Sequence, residues 1–582
     1  MRELKYLNKY LFKYKIQLIT GVLIAIIARV FALFAPRLVN NSLTIVEEFI
    51  KFQNISIYNL KKELIINISL IIITALISGF LTFLIRQTII NVSRYIEFDL
   101  KNEIYDKYQK LDLEFYKLNK TGDLMTRITE DVSKVRMYFG PAIMYSINTT
   151  VLFIIVIASM ISLAPKLAIY SLIPLPFLSI IIFLLSKEIN KKTSLIQKIL
   201  SKLSSFSQES FSGISVIKSH GIESKVEEKF ELISEESKDS NLKLAKIQAW
   251  FFPLMILLIG LSNYLVIFIG GIQYINGEIN IGILAEFILY ISMLTWPVAT
   301  VGWVTSIVQQ AEASQKRINI FLKNKTKIKS GKKKKKIFGS IEFKNVFFKY
   351  HNSEKFIINS MSFKINEGDK IGIIGNVGSG KSTILNLIAR LYDINNGNLY
   401  IDGVDVKKYD INSLRNNIAY VPQDSFLFSD TIIENIKFGN DKSSLLDVYK
   451  YASIAEIHKE IKNFTNGYET LLGERGITLS GGQRQRLSIA RALIKNSKII
   501  LFDDCFSAID NKTQKKILEN LNHINEKKTM IFISHNISSI TNCNRILVVD
   551  KGQIIQNGTN SDLKNQDGYY KYLFERQKLE KL

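Results

Sequence analysis

A glycine-rich run with one lysine and one serine, residues 375–382, is the first part of the sequence that could do chemistry. It follows an apolar segment at 370–374 that is typical of a buried strand, and an apolar helix is predicted to begin near Thr383. In the order strand, glycine-rich loop and helix, backbone N–H groups surround the phosphates of a nucleotide. We expect Lys381 to neutralise the β- and γ-phosphate oxygens and Ser382 to bind Mg²⁺. The predicted nucleotide-binding residues of this loop are Asn376, Val377, Gly378, Ser379, Gly380, Lys381, Ser382 and Thr383.

Acidic residues at the end of a second apolar segment could complete a hydrolytic site. Residues 498–502 are typical of a strand, and Asp503 and Asp504 follow it directly. An acid at the carboxyl end of a strand, downstream of a P-loop, is the expected second anchor for Mg²⁺, and Asp503 has that position. A third predicted strand, residues 531–534, ends at His535, which is a candidate for contact with the γ-phosphate at the same sheet edge.

A second glycine-containing turn, residues 479–483, opens a basic amphipathic helix predicted from Arg484 to about Lys495. The N-terminus of a helix favours anions, because its first N–H groups have no partner within the helix and its dipole is positive there. The turn therefore predicts a second phosphate-binding element. Its residues are Ser480, Gly481, Gly482 and Gln483.

Six apolar stretches in the first half are long enough to cross a membrane, which takes about twenty residues for roughly 30 Å of hydrocarbon. They lack the polar residues at every third or fourth position that a soluble core helix shows. The predicted fold class is therefore an all-α six-helix transmembrane domain followed by an α/β P-loop nucleotide-binding domain. The predicted spans are residues 16–38, 64–86, 141–163, 167–186, 249–274 and 279–304.

Basic residues determine the predicted orientation. Ten Lys or Arg lie in the loop at 86–140 and eleven Lys in the loop at 187–248. Because loops rich in Lys and Arg stay on the cytoplasmic side, these loops and both termini are predicted to be cytoplasmic. The predicted domains are an N-terminal elbow helix at 1–15, the transmembrane domain at 16–322, a Lys-rich linker at 323–340 and the nucleotide-binding domain at 341–582.

Composition argues against several other classes of protein. The chain has 582 residues, of which 47% are hydrophobic, and a formal net charge of +24; a disordered or collagen-like chain is not expected. Its two cysteines form no CxxC pair, so neither a disulfide scaffold nor a zinc ribbon is expected. We assign the positive charge to contact with anionic membrane lipids. No nucleic-acid partner is expected, since no groove-reading motif or aromatic platform accompanies the five lysines at 332–336.

Together these motifs resemble the ATPase domain of ATP-binding cassette (ABC) transporters. The LSGGQ run at 479–483 is close to diagnostic of that family. The six spans and the segments at 122–123, 213–218 and 472–476 are similar to type IV exporters of the multidrug and lipid-A-flippase kind, so the resemblance covers nearly the whole chain. The other matching features are the P-loop, Gln423 in Val-Pro-Gln-Asp, Asp503, the stretch Ser-Ala-Ile-Asp that ends at Asp510, and His535.

The resemblance implies a ligand and a role for each matching position. ATP and Mg²⁺ are the implied ligands, and Gln423 would contact both Mg²⁺ and the attacking water. Tyr350, on the strand before the P-loop, would stack on adenine, and Ser480 and Gly482 would contact the γ-phosphate bound to the other subunit. Asp510 would communicate across the dimer, and His535 would act as a γ-phosphate switch. Glu474 and the loop tips at 112–119 and 212–219 would couple the domain to the spans.

One position departs from the family's pattern. In this family the acid at the end of the second strand, called the Walker B acid, matches Asp503. The residue after it is usually Glu, the general base, and here it is Asp504. Its side chain is one methylene shorter, and a misplacement of about 1 Å can slow catalysis on the order of 10²-fold. Many exporters of this family are heterodimers in which one subunit carries this change. The resemblance therefore implies a second half-transporter as partner and a slow ATP site on this chain, with Asp504, His535 and Gln423 as the candidate catalytic residues.

The predicted function is that of an ATP-driven exporter subunit. It would move a hydrophobic or amphipathic substrate, a drug, lipid or peptide, out of the cytoplasm or inner leaflet by alternating access. The alternatives are a homodimeric lipid flippase or multidrug exporter with Asp504 as a working base, and an ATP-gated channel. A soluble ATPase that handles DNA conflicts with the six spans.

Polar residues within the spans are candidates for a substrate pathway. Arg29 lies in the middle of the first span, where a charge is costly and usually faces a cavity or a partner. The asparagines could instead form interhelical hydrogen bonds, and the tryptophans could belong to interfacial belts. The other candidates are Asn67, Asn148, Asn263, Trp296 and Trp303.

Overall fold

The computed structural model describes residues 3–52, 56–351, 353–473, 476, 479–524 and 527–579, with the side chains at 52, 178, 298 and 299 excepted. The chain forms two compact units. The first comprises Met1–Gln109 and Lys120–Asn324, and the second comprises Lys110–Asn119 and Lys325–Leu582. The loop tip at 112–119 thus belongs to the same unit as the nucleotide-binding domain.

The first half of the chain is helical throughout its described length. Within the described residues, six helical segments are long and apolar enough to cross a membrane, which confirms the six-span prediction. Each segment is longer than its apolar stretch, because flanking polar residues, before or after the stretch, are also helical. In chain order the helices are α1 (Asn8–Lys13), α2 (Lys15–Phe52), α3 (Ile57–Ile85), α4 (Asn91–Lys110), α5 (Leu113–Leu118), α6 (Thr121–Thr126), α7 (Val132–Met137), α8 (Ile143–Leu163), α9 (Pro165–Leu172), α10 (Pro174–Ser212), α11 (Ile214–His220), α12 (Glu223–Ala249), α13 (Phe251–Ile275) and α14 (Ile281–Lys323).

The polar loops predicted at 86–140 and 187–248 consist largely of helical arms. The 39 residues of α10 span about 58 Å at 1.5 Å per residue. Short helices form both loop tips. Asp112 caps α5 by accepting a hydrogen bond from the N–H of Phe115 at 3.1 Å. Helix α11 ends at Gly221, whose φ of 61° is left-handed and therefore favours glycine.

A buried polar cluster holds α2 against α14. The Glu286 side chain is fully buried and accepts hydrogen bonds from the amide of Asn40 and the hydroxyl of Tyr290, each at 2.5 Å. One turn earlier on α14, a β-carbon on Gly282 would lie 2.7 Å from the hydroxyl oxygen of Thr44. Only glycine lets the two helices approach this closely, as is common where small residues line a contact between spanning helices.

The second unit is built on two β-sheets. A four-stranded antiparallel sheet has the strand order β2-β1-β4-β5, and a six-stranded sheet has the order β10-β9-β3-β8-β7-β6, parallel except at β10. Its elements are β1 (Ile341–Phe348), β2 (Ile358–Ile365), β3 (Lys370–Gly375), α15 (Lys381–Ile388), β4 (Asn396–Ile401), β5 (Val404–Asp405), α16 (Ile411–Asn416), β6 (Ile418–Val421), α17 (Ile432–Lys437), α18 (Leu445–Ile454), α19 (His458–Lys462), α20 (Gly481–Ile494), β7 (Ile499–Asp503), α21 (Asn511–Asn522), β8 (Thr529–Ile533), β9 (Arg545–Asp550), β10 (Gln553–Gly558), α22 (Asn560–Asn565) and α23 (Tyr569–Leu579).

The parallel sheet separates two hydrophobic cores. Along β7, Ile499 and Leu501 pack into one core, whereas Ile500 and Phe502 pack into the other. Side chains of a strand alternate between its two faces, so a strand covered on both faces is apolar at every position. The carboxyl ends of β3, β7 and β8 consequently meet at one edge, where the predicted site residues lie.

The lysine-rich segment predicted as a linker contacts the second unit. The N–H of Gly331 donates to the carbonyl of Tyr409 at 2.8 Å, and the N–H of Lys333 donates to the carbonyl of Lys408 at 3.0 Å. Further along, the carboxylate of Asp402 accepts the N–H groups of residues 338–340 at 2.7 to 3.3 Å. Much of this segment is therefore fixed to the nucleotide-binding domain.

Candidate functional site

The glycine-rich loop lies between β3 and α15. Gly378 and Gly380 have φ angles of 79° and 98°, in the left-handed region that favours glycine. A β-carbon on Gly380 would lie 2.8 Å from the carbonyl oxygen of Ile357. The chain therefore turns sharply into α15, which begins at Lys381 rather than near Thr383 and directs its first N–H groups at the loop.

Lys381 lies folded against this loop. Its side chain is buried, and its ammonium group donates to the carbonyls of Gly375 at 2.9 Å and Asn376 at 2.7 Å. Burial lowers the pKa of Lys381, while the carboxylates of Asp504 and Asp503 act in the opposite direction. A buried ammonium group with only carbonyl acceptors has a strong preference for an anion, which a phosphate would supply.

The carboxylate of Asp503 joins three elements at the sheet edge. The hydroxyl of Ser382 donates to its Oδ1 at 2.7 Å, and the hydroxyl of Tyr420 donates to its Oδ2 at 2.8 Å. Ser382 and Asp503 together offer hard oxygen donors, the type that Mg²⁺ prefers alongside phosphates and water. Tyr420 was missed by sequence reasoning; its position on β6, three residues before Gln423, is the only signal that could have found it.

Asp504 follows β7 in a left-handed conformation, with a φ of 42°. Its N–H donates to the carbonyl of Ile533 at 3.0 Å, and its Oδ1 accepts a long hydrogen bond of 3.4 Å from the N–H of His535. Burial raises the pKa of the Asp504 carboxyl group, while His535 opposes that shift. Asp504 and His535, predicted as neighbours, thus line one cavity of about 390 Å³ together with Ser507 and Ser534.

Tyr350 is placed beside the P-loop but not on a strand. Strand β1 ends at Phe348, so the prediction that Tyr350 lies on the strand is wrong. The pairing of β1 with β2 is already irregular between Val346 and Phe348. The Tyr350 hydroxyl lies 3.1 Å from that of Thr383, which ties the ring to the start of α15. The ammonium group of Lys117, in the loop tip, lies 5.3 Å from the Tyr350 ring centre and 5.5 Å from that of Tyr392. Neither Lys117 nor Tyr392 had a local sequence signal.

The second glycine-containing turn forms the start of α20. Ser480 and Gln483 form a reciprocal capping box: the Ser480 hydroxyl accepts the Gln483 N–H at 3.2 Å, and the Gln483 amide oxygen accepts the Ser480 N–H at 3.0 Å. A β-carbon on Gly482 would lie 2.8 Å from the carbonyl oxygen of Ala508. Neighbouring Gly481 would place its β-carbon 3.4 Å from that of Ala508. The turn is therefore packed tightly against the segment that leads to Asp510.

The two predicted phosphate-binding elements have separate hydrogen-bond partners in the described part of the chain. Among the described residues, no hydrogen bond joins residues 376–383 to residues 480–483. The side chain of Gln483 instead donates to Glu460 at 3.0 Å, and Glu460 is also paired with Arg486 at 2.6 Å. The turn at 479–483 is thus anchored to α19, and within the described residues it makes no hydrogen bond to the P-loop.

The remaining predicted residues have simpler surroundings. Asp510 caps α21 by accepting the N–H of Thr513 at 2.9 Å, and this bond lowers the pKa of Asp510. Gln423 and Val377 are exposed.

Two further P-loop residues differ in their contacts. The amide of Asn376 donates to Asp550 at 3.4 Å, and the buried Ser379 hydroxyl has no hydrogen-bond partner among the described residues. Glu474 lies outside the described residues.

A cavity of about 700 Å³ lies among the spanning helices of the first unit. Four of the predicted pathway residues line it: Arg29, Asn148, Trp296 and Trp303. Asn67 and Asn263 do not line it.

Two family models match the chain, one in each half. The family model described as "ABC transporter transmembrane region" matches residues 18–298, and that described as "ABC transporter" matches residues 358–507. "Multidrug resistance-like ATP-binding protein MdlA" of Buchnera aphidicola subsp. Baizongia pistaciae is 37% identical over 492 residues, 84% of this chain and 85% of that protein. MdlA of Escherichia coli is 32% identical over 490 residues, 84% and 83% of the two chains.

A solved structure has the same fold. The "Structure of a bacterial Atm1-family ABC exporter with ATP bound" superposes with a TM-score of 0.81 at 24% sequence identity, covering 96% of this chain and 99% of that one. Six apolar helices followed by an α/β nucleotide-binding domain make this a multi-pass protein of the inner membrane. Its nucleotide-binding domain binds ATP, and exporters of this kind act as dimers. The chain therefore belongs to the ABC transporter family, as an exporter half-transporter whose ATPase activity is coupled to transport.

Proposed function

We propose that this chain is the subunit with the slow ATP site in a heterodimeric exporter of hydrophobic or amphipathic substrates. The substrate, a drug, lipid or peptide, would leave the cytoplasm or the inner leaflet by alternating access. ATP would bind the closed pair of nucleotide-binding domains more tightly than the open pair and so shift the population toward the outward-facing state. Both termini and the two helical loop tips would lie in the cytoplasm, as the basic loops favour.

The residues around the P-loop would each bind a different part of ATP. Lys381 would exchange its carbonyl acceptors for β- and γ-phosphate oxygens, and residues 376–383 would donate backbone N–H groups. Tyr350 would stack on adenine, with its hydroxyl beside Thr383 fixing the ring. Ser382, Asp503 and Gln423 would hold Mg²⁺, which neutralises developing charge on the phosphates when bound.

The separation of the two phosphate-binding elements supports a site shared between chains. Among the described residues, no hydrogen bond joins the P-loop to the turn at 479–483, which Glu460 holds toward α19. Ser480, Gly481, Gly482 and Gln483 would therefore complete the site on a partner's P-loop. The partner's corresponding turn would complete the site on Lys381, and Asp510 would lie at the boundary between the two sites.

The single observation that carries the asymmetric proposal is the carboxylate of Asp504. It occupies the position after the Walker B acid with a side chain shorter than Glu, and its one described hydrogen bond, from the N–H of His535, is long at 3.4 Å. The backbone of Asp504 is left-handed, with a φ of 42°. The carboxylate therefore falls short of the position that a Glu would reach, which makes hydrolysis at this site slow.

A homodimer with a working Asp504 is the second candidate, and one observation favours it. Burial raises the pKa of the Asp504 carboxyl group, which makes its carboxylate a stronger base than an exposed aspartate. In that case the gain in basicity would offset part of the loss in reach.

The ATPase activity of the chain, alone and with a partner, distinguishes the heterodimer from the homodimer. We expect the purified chain alone to hydrolyse ATP weakly. Co-expression with a half-transporter that has Glu after its Walker B Asp should raise the activity by about two orders of magnitude. The control is the same co-expression with that Glu changed to Gln, which should return the activity to the level of the chain alone. Brisk Mg²⁺-dependent hydrolysis by the chain alone would contradict the asymmetric proposal and favour the homodimer.

A further inference from the structure

The cavity of the first unit combines a guanidinium group with several aromatic rings. Arg29 lies on α2, Tyr145 and Asn148 on α8, Phe251 on α13, and Trp296 and Trp303 on α14. The rings of Tyr145 and Trp303 meet edge to face, with centres 5.3 Å apart. Helices distant in sequence thus bring a cation and aromatic surfaces to the same space.

Arg29 has no anionic partner in the described part of the chain. Its only hydrogen bond there is a long one, 3.4 Å from its Nε to the neutral Asn148 side chain. A guanidinium group carries five N–H donors, so most of its hydrogen-bonding capacity is left for something else. Of the described residues that line the cavity, Arg29 is the only one with a formal charge.

A positive charge in the middle of a spanning helix is costly unless it has a partner or serves a function. The Arg29 side chain is half-buried, and a charge taken partly out of water without a counter-ion costs more than a paired one. Arg29 therefore supplies the strongest specificity determinant of this cavity, and the charge that it favours is negative.

The size and the aromatic lining limit what the anion can be attached to. A volume of about 700 Å³ lies within the range of about 300 to 1,000 Å³ that is typical of sites for drug-sized molecules. Trp296 and Trp303 keep 72% and 45% of their surface exposed, so both rings are available to a ligand. Flat apolar bodies pack well against such rings.

We propose that this cavity binds an amphipathic organic anion. Its carboxylate or sulfonate would pair with the Arg29 guanidinium, and its apolar body would lie against Trp296 and Trp303. The proposal rests on the exporter function proposed above and names the substrate class of that exporter. The headgroup of an anionic phospholipid shares the same charge, and the test below separates it from a compact organic anion.

Two pyrene probes of equal apolar body and opposite charge test the proposal: pyrene butyrate and pyrenebutyl trimethylammonium. The chain has three tryptophans, and Trp250 does not line the cavity. The full chain carrying Trp250→Phe, in nanodiscs of neutral phosphatidylcholine, therefore reports binding through energy transfer from Trp296 and Trp303 to pyrene. Empty nanodiscs give the contribution of probe dissolved in lipid.

We expect pyrene butyrate to bind at least about ten-fold more tightly than the cation, since hydrogen bonds to charged groups are strong. Arg29→Gln should abolish this preference, Arg29→Lys should retain most of it, and Arg29→Glu should reverse it. Arg37→Gln is the matched control, because Arg37 is an exposed arginine on the same helix that does not line the cavity. Retained labelling by azido-ATP shows that the nucleotide-binding domain of each variant is folded, and an unchanged size-exclusion profile shows the same for the membrane part.

Several results would overturn the proposal. Equal binding of the two probes, or equal effects of Arg29→Gln and Arg37→Gln, would remove the role of Arg29 as an anion receptor. Loss of dimer in Arg29→Gln without a change in probe preference would assign Arg29 to an ion pair with the partner chain. If phosphatidylglycerol in the nanodiscs displaces pyrene butyrate from the wild type but not from the Arg29→Gln protein, the bound anion is a phospholipid headgroup and the compact anion is excluded.

Failure of the exporter function would be recognised separately, because the binding assay needs no turnover. If neither probe moves across proteoliposomes on addition of ATP while the charge preference persists in binding, the exporter proposal fails and the anion site stands. If both probes are transported equally, the exporter proposal stands and the anion site fails.

Discussion

The hydroxyl of Ser382 donates a hydrogen bond of 2.7 Å to the carboxylate of Asp503, which joins the first turn of α15 to the end of β7. Tyr420 occupies the other carboxylate oxygen from β6 at 2.8 Å. Three neighbouring elements thus fix the orientation of Asp503. A carboxylate held in this way is ready to bind a cation without rearranging, so the groups that hold it are expected to affect Mg²⁺ affinity.

Tyr420→Phe should lower the affinity for Mg²⁺ in nucleotide binding by about ten-fold. Partners that orient a metal ligand typically contribute 10- to 100-fold in affinity. The measurement is a Mg²⁺ titration of binding of a fluorescent ATP analogue to the full chain. Tyr400→Phe, in the antiparallel sheet, is the control and should leave the titration unchanged. Identical titrations for both variants would show that Tyr420 does not orient Asp503.

Lys381→Ala should abolish high-affinity nucleotide binding at this chain's own P-loop, since the phosphates lose the one ammonium group that the loop holds against its carbonyls. Photolabelling of the full chain with an azido-ATP analogue measures the effect. Lys344→Ala, at an exposed position of β1, serves as the control. Undiminished labelling of the Lys381 variant would mean that ATP binds elsewhere.

Under the asymmetric proposal, Asp504→Asn should change the turnover of the assembled heterodimer little, because this site would already hydrolyse ATP slowly. Changing the corresponding Glu of the partner to Gln should nearly stop it. Asp504→Glu should restore reach and raise the ATPase activity of the chain alone, by up to about 10²-fold. Steady-state ATP hydrolysis measures all three, and losses of equal size from Asp504→Asn and the partner's change would identify Asp504 as a working base.

Asp504→Asn should also raise the thermal stability of the nucleotide-free protein at neutral pH. Burial raises the folded-state pKa of this carboxyl group above its ordinary value of 3.8, so the folded state holds its proton more tightly than the unfolded state does. The charged form therefore reduces stability as pH rises from 3.8 through the raised pKa, and the neutral amide escapes that loss. Thermal unfolding across this pH range should show a difference that disappears below pH 3.8; a difference that persists there would have a cause other than charge.

Gly482→Asp should remove most of the ATPase activity of the heterodimer. The substitution adds bulk at a position where a β-carbon would already lie 2.8 Å from the Ala508 carbonyl oxygen. Under the proposed shared site, it would also set a negative charge beside the γ-phosphate on the partner's P-loop. Lys381→Ala, which disables only the slow site, should leave more activity, and Asn440→Asp adds the same charge at an exposed position as a control. Full activity of the Gly482 variant would rule out a contribution of this turn to the partner's site.

Local spacing determined most of the fold. Apolar stretches of spanning length, strands bounded by glycine and aspartate, and the LSGGQ turn are all signals carried within a few residues, because helix and strand periods and caps are local properties. The structure confirms six apolar helices followed by an α/β domain. Most helices extend beyond the predicted apolar spans, since hydropathy marks where a helix is apolar and not where it ends.

Tertiary structure alone decided how the site residues meet. Ser382 reaches Asp503 across 121 positions of sequence, and Tyr420 reaches it across 83. Three further features likewise depend on the register and packing of distant elements. They are the left-handed backbone of Asp504, the position of Lys117 over Tyr350, and the cavity that Arg29 lines together with two tryptophans. A sequence names which residues can do chemistry, but the strand order that brings carboxyl ends to one edge, and the helix contacts that enclose a cavity, are properties of the folded chain.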